Sequence, residues 1–181
     1  MSSLRQYEEN VRDLINRPGE MRERERTVEV PESFGEALAS IPAGELMHLA
    51  VRLESVHEGI LASVSADTTM HAECGRCLEK FTAPFEVEFQ ELFAYTPTEA
   101  DEQRVHGDHV NLEPPLRDAV VLALPFQPVC REDCPGLDPT TGELRDAEAA
   151  AQPEAIDSRW AALASLLAED KDLGRATDTE K

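Results

Sequence analysis

From Leu46 to Val56 apolar and polar positions alternate without a break, with Met47, Leu49, Val51 and Leu53 on one face and His48, Ala50, Arg52 and Glu54 on the other. Period-two alternation of this kind predicts a half-buried β-strand. His57-Glu58-Gly59 supplies a turn, and Ile60, Ala62, Val64, Ala66 and Met70 continue the alternation in a second long strand. A third runs from Phe81 through Phe85, Val87 and Phe89 to Phe93, with Glu86, Glu88 and Gln90 facing water. Three long strands joined by short turns predict an antiparallel meander. Two stretches carry helical spacing instead. Tyr7, Val11, Leu14 and Ile15 predict a short N-terminal helix ended by Pro18-Gly19, and Leu116 to Leu124 predicts an apolar helix opened by Pro114-Pro115 and stopped before Pro125. Between the first helix and a first strand near Thr27 to Val30, the alternating charges of Glu20 to Arg26 read as a solvated connector.

A brief extended piece is expected at His109 to Leu112, after an acidic loop from Thr96 to Gly107. Beyond Leu137 the residues turn to Ala, Glu, Asp, Pro and Thr, which predicts a disordered acidic linker over 138–157. A C-terminal helix then starts at Ser158, with Trp160, Leu163, Leu166 and Leu167 on one stripe that docks on its own domain or lies in a partner's groove. The expected organisation is therefore an N-terminal helix and connector over 1–26, an α+β core over 27–137, the linker, and a helix with tail over 158–181.

All four cysteines fall into two tight pairs, Cys74-Gly-Arg-Cys77 and Cys130-Arg-Glu-Asp-Cys134. Spacings of two and three residues let both thiolates of a pair reach one tetrahedral ion, so Cys74, Cys77, Cys130 and Cys134 are candidate zinc ligands. Gly75 lets the backbone of the hairpin tip fold around such an ion. Two other readings stand beside this one. Four reduced thiols can pack as small apolar groups, and a redox pair would need a cation such as Arg76 to lower a thiol pKa, in a strand-turn-strand context that offers no helix dipole. His71, three residues before Cys74, could replace a missing ligand, whereas His106 and His109 lie in an acidic loop.

The chain has 181 residues and a net charge of −20, and the charge is uneven. Residues 1–26 hold six arginines against six acids, residues 27–137 six basic against twenty acidic groups, and residues 138–181 five against eleven. The core segment at −14 repels phosphate, which leaves Arg17, Arg22, Arg24 and Arg26, with Arg76 and Lys80 beside the hairpin tip, as candidate RNA contacts. Acidity of this size also suits a basic protein partner. No apolar run approaches a membrane span and the first ten residues lack a signal-peptide core, so a cytoplasmic protein with reduced thiols is expected. Gly-rich phosphate loops, Gly-x-Ser-x-Gly and His-Glu-x-x-His are all missing, which argues against an enzyme.

Cys74-Gly-Arg-Cys77-Leu before a phenylalanine-rich strand, Leu116-Arg-Asp-Ala-Val-Val-Leu-Ala-Leu-Pro125, and Pro128-Val-Cys-Arg-Glu-Asp-Cys-Pro-Gly-Leu137 together resemble the YceD family of large ribosomal RNA subunit accumulation proteins. Arg17-Pro-Gly-Glu-Met-Arg-Glu23 and the Trp160 to Leu167 ending are also similar to bacterial members. The resemblance implies a non-enzymatic role in accumulation of 23S ribosomal RNA, with large-subunit RNA or a pre-ribosomal particle as partner. Many members carry a further Cys-x-x-Cys-Gly where this chain has Asp138-Pro-Thr-Thr141-Gly142, so Asp138 is the remaining oxygen donor there. A different role, as an acidic chaperone for a basic ribosomal protein, would use Glu86, Glu88, Glu91 and the loop at Glu99 to Glu102.

Overall fold

The computed structural model describes residues 4–36, 38–96 and 103–145. After a 3-10 turn at Leu4–Tyr7 come strands β1 (Glu8–Asn10), β2 (Met21–Glu29), β3 (Ala39–Ser40), β4 (Leu46–Ser55), β5 (Gly59–Glu73), β6 (Lys80–Ala94) and β7 (His109–Asn111), then helix α1 (Glu113–Ala123). β5 is the spine of a five-stranded antiparallel sheet. β6 pairs along its whole length, while β4 and then β3 share its other side and β2 extends the sheet beyond β4. β1 and β7 form a separate two-stranded antiparallel sheet. The expected α+β class and the meander of three long strands are both present.

Alternation decides which face is buried. Met47, Leu49, Val51 and Leu53 of β4, Ile60, Ala62, Val64 and Ala66 of β5, and Phe85, Val87 and Phe93 of β6 are all buried on one side of the sheet. Tyr7, Val11 and Leu14 from the N-terminal segment, Val110 and Leu112 around β7, and Leu116 and Val120 of α1 complete the same cluster. The N-cap Leu112 offers α1 no side-chain bond, but Asn111 Oδ1 accepts the Glu113 N–H at 3.1 Å, and the prolines of the first turn lack the N–H that would go unpaired there. It ends as Leu124 turns extended ahead of Pro125.

Two expectations near the N-terminus are overturned. Tyr7, Val11 and Leu14 are buried as a helical stripe would be, but no α-helix forms. β1 pairs with β7, the Leu112 N–H donates to the Tyr7 carbonyl, and the Val11 N–H donates to the Asp108 carbonyl at 2.7 Å. Partners about 100 residues away thus take up the backbone groups that a helix would satisfy locally. The segment Glu20 to Arg26 is likewise no connector. It belongs to β2, which pairs with β4 from Met21↔Glu54 to Glu29↔Leu46, so the division expected at 26/27 falls inside a strand. A strand at a sheet edge needs backbone partners and one buried face, and Arg22, Arg24 and Arg26 supply that face through ion pairs instead of apolar side chains.

Close contacts divide the chain into Met1–Gly136 and Leu137–Lys181. Within the second unit the first residues are hydrogen-bonded, with Leu137 bridging Leu144 and Asp138 Oδ1 accepting the N–H groups of Thr140 and Thr141. Trp160 and the helix expected around it, residues 146–157 of the expected linker, and the acidic Glu99 to Glu102 lie outside the described residues.

Candidate metal centre

The last paired residues of the β5–β6 hairpin are Glu73 and Lys80, leaving Cys74 to Glu79 as its tip. The Cys74 N–H donates to the Glu79 carbonyl, and the Leu78 N–H returns to the Cys74 carbonyl at 2.8 Å. That last bond closes the loop through a left-handed Leu78 (φ 61°), a conformation costly for a branched side chain. The strain is local to the cysteine loop.

The second pair arrives from the segment after α1. The Gly75 N–H donates to the Pro128 carbonyl at 2.9 Å, and Cys134 N–H donates to the Arg131 carbonyl. Arg76 joins the two loops: its Nη1 donates to the carbonyls of Glu132 at 3.0 Å and Cys134 at 3.1 Å. Gly136, with φ 74°, passes so close that an added Cβ would lie 3.2 Å from the Arg76 carbonyl oxygen. Backbone and guanidinium together fix the approach of the four thiols.

The four Sγ atoms lie within 4.8 Å of one another. Cys74 and Cys134 are 3.8 Å apart, as are Cys77 and Cys130, and all four are free thiols. A disulfide would need about 2.05 Å. A tetrahedral ion with bonds of about 2.3 Å would place its sulfurs roughly 3.8 Å apart. The donor set therefore fits a metal ion, and it is closed, since Cys74, Cys77 and Cys134 are buried and Cys130 is half-buried. Electrostatics point the same way. Burial pushes the Cys74 thiol up, but backbone N–H groups of Cys130, Cys77 and Arg76 outweigh it and hold the pKa at about 6. Burial, with the neighbouring sulfurs of Cys134, Cys74 and Cys77, pushes Cys130 up to about 12. Backbone N–H groups thus favour negative charge on Cys74 while the neighbouring sulfurs oppose it on Cys130, a repulsion that a cation between them would relieve.

No other group of three or more metal-donor side chains occurs among the described residues. His71 is turned to Glu45, 3.3 Å away, and contributes nothing to the cysteine cluster. His109 pairs with Asp108 and approaches Asn10, while His106 and His109 exchange backbone hydrogen bonds. Asp138 spends its carboxylate on the turn at Thr140 and Thr141, which also holds it below the usual carboxylate range.

The arginines are placed differently from the expected RNA arm. Arg22, Arg24 and Arg26 project from one face of β2 toward Glu9, with N–O separations of 3.9, 3.6 and 3.3 Å. The Glu9 side chain is 1% exposed, and Arg22 also grips Asp13 at 2.8 Å and the Asn10 carbonyl. Arg17 is exposed on a turn, and Lys80 is exposed at the start of β6. Arg26 is level with Ala66 through Leu49, whereas Lys80 faces Glu73, so about 24 Å of strand separates the two groups. The cations do not form one patch. Sequence reasoning missed Glu9 and the bracing role of Arg76; the readable signal for the first was Arg-x-Arg-x-Arg at strand period, which puts all three cations on one side.

A family model described as "Large ribosomal RNA subunit accumulation protein YceD" matches residues 62–167, a span that holds the β5–β6 hairpin from Ala62 onward, α1 and both cysteine pairs. An uncharacterized protein of Mycobacterium tuberculosis is 40% identical over 170 residues, covering 90% of this chain and 82% of the relative. An uncharacterized protein of Mycobacterium leprae is 34% identical over 176 residues, covering 93% and 81%. No solved structure matches. With both cysteine pairs inside the matched span and relatives aligned over nearly the full length, the chain belongs to the YceD family of large ribosomal RNA subunit accumulation proteins.

Proposed function

We propose that this protein is a non-enzymatic factor for accumulation of large-subunit (23S) ribosomal RNA, built around one structural zinc ion held by Cys74, Cys77, Cys130 and Cys134. It works in the cytoplasm by binding a component of the assembling large subunit. The observation that carries the metal part is the 3.8 Å spacing of both cross-loop sulfur pairs, which matches the edge of a zinc–thiolate tetrahedron. Four protein ligands leave no position for a substrate or water, so the ion's role is structural. Buried four-thiolate donors favour zinc over harder cations. The ribosomal part rests on the family description.

Two measurements test the reading. Metal analysis of protein purified without chelator should give about one zinc per chain. A strain lacking the gene should lose 23S relative to 16S ribosomal RNA and recover it with the wild-type chain, but not with C74S/C130S. A normal 23S to 16S ratio in the deletion strain overturns the ribosomal role. Metal-free protein with four titratable thiols overturns the zinc.

A further inference from the structure

The charges of β2 are sorted by its pleat. In Met21-Arg-Glu-Arg-Glu-Arg26 the arginines turn inward to Glu9, which leaves Glu23 and Glu25 on the opposite, outer face of the sheet. The strand register then builds that outer face in rows. Glu23, Arg52, Ser63 and Gln90 lie side by side, next come Glu25, Ala50, Ser65 and Glu88, and then Thr27, His48, Asp67 and Glu86. Ala50 of β4 and Ser63 and Ser65 of β5 form the floor of a depression of about 560 Å³, with Arg52 of β4 at one end of it. Its walls, on β2 and β6, are acidic. They stand three strand spacings apart, about 14 Å, which is wide enough for one polypeptide segment.

A solvated face is ordinary for an antiparallel sheet, but a face kept only for water would mix its charges. Here Glu23, Glu25, Asp67, Glu86 and Glu88 make no ion pair among the described residues, and Arg52 is already paired to Glu54. Asp67 and Glu86 are direct cross-strand partners, a like-charge arrangement that costs stability. A bound cationic chain would relieve this repulsion. Nucleic acid is excluded from this face by the same charges.

We infer that the outer face of the β2–β4–β5–β6 sheet is a docking trough for a lysine- or arginine-rich segment of a protein partner, lying over Ala50, Ser63 and Ser65 between the carboxylates of β2 and β6. The inference takes its cellular setting from the ribosomal reading but is tested without ribosomal RNA.

The probe is a fluorescent sixteen-residue peptide of alternating lysine and glycine, titrated with the full-length metal-loaded chain at two salt concentrations. E25Q/E88Q should weaken binding by about fivefold or more and flatten its salt dependence, since each exposed ion pair contributes modestly. E8Q/E58Q removes the same charge away from the trough and should change binding by less than about twofold. A50W fills the trough without changing charge and should weaken binding comparably to E25Q/E88Q. Equal loss in E25Q/E88Q and E8Q/E58Q, or full binding by A50W, overturns the trough. Competition of a single-stranded RNA oligonucleotide for the same face overturns it as well. Failure of the peptide assay leaves the 23S accumulation result standing, and an unaltered 23S level leaves the peptide result standing.

Discussion

Glu9 sits on the inward side of β1, where a three-residue strand would ordinarily carry an apolar residue, and it faces three guanidinium groups. Its carboxylate oxygens lie within ion-pair distance of these arginines without a hydrogen bond of good geometry. Charge balance, more than directional bonding, holds them together. Replacing Glu9 by Gln should cost about 2–4 kcal/mol, because the partly buried Arg22 and Arg26 and the exposed Arg24 then lose their counter-charge. Asp13→Asn, removing a carboxylate whose side chain is 55% exposed, should cost under about 1 kcal/mol. Denaturant unfolding of both variants decides this, and equal small losses would make the cluster an ordinary surface network. Tyr7, in the same region, is driven up to about 12 by burial and by the Glu113 carboxylate. A raised folded-state pKa means the unfolded chain loses this proton first. Stability contributed by the neutral phenol is thus intact below pH 10 and disappears between pH 10 and 12. Tyr7→Phe should flatten that alkaline limb, and a limb of unchanged steepness would assign the loss to other groups. Arg76 makes a third residue-level test. Arg76→Ala removes two bonds between the cysteine loops and should speed metal loss to a chelator by about tenfold, with Arg76→Lys intermediate. An unchanged rate would return Arg76 to the surface.

The β5–β6 hairpin does two jobs at its two ends. Near the β4–β5 turn Gly59 lies against β6 so closely that a Cβ would sit 2.2 Å from the Phe93 carbonyl oxygen, so the strands can meet there only through glycine. At the far end the hairpin opens into the cysteine tip. The cysteines form their own small cluster, with Phe81 packed against both this cluster and the main core. Loss of the metal should therefore loosen the tip and the segment after α1 while the sheet persists. Hydrogen exchange should show residues 74–79 and 126–134 losing protection in C74S and C130S alike, with β4 unchanged. Global unfolding of either variant would mean that the metal holds the whole core. The long strands and α1 were readable because their periodicity matches their burial. β1 and β2 were not. Tyr7, Val11 and Leu14 bury at helical spacing while the backbone pairs elsewhere, and the arginines of β2 look like a solvated run until Glu9 is placed opposite them.

Across the whole chain, contacts separate at Gly136, after the second cysteine pair and before the Asp138 turn. Ending the chain after Leu137 should leave a folded, metal-binding sheet domain, since the buried core among the described residues and all four cysteines precede the cut. Circular dichroism and metal content of residues 1–137 test this, and an unfolded product would place essential packing in the last 44 residues. At the same scale, a negative charge of −20 is common to every conformation, but its effect depends on where the pleat sends each side chain. Sequence by itself determined the α+β class, the register-competent alternation of the three long strands, the proline limits of α1 and the two cysteine pairs, because each is a local pattern of period, turn chemistry or spacing. Tertiary structure alone decided that the two pairs meet with sulfurs 3.8 Å apart, that the first residues join a strand about 100 positions away, and that the arginines face Glu9 while the glutamates face out. Those outcomes depend on partners distant in sequence, and no local pattern encodes which segment will be opposite.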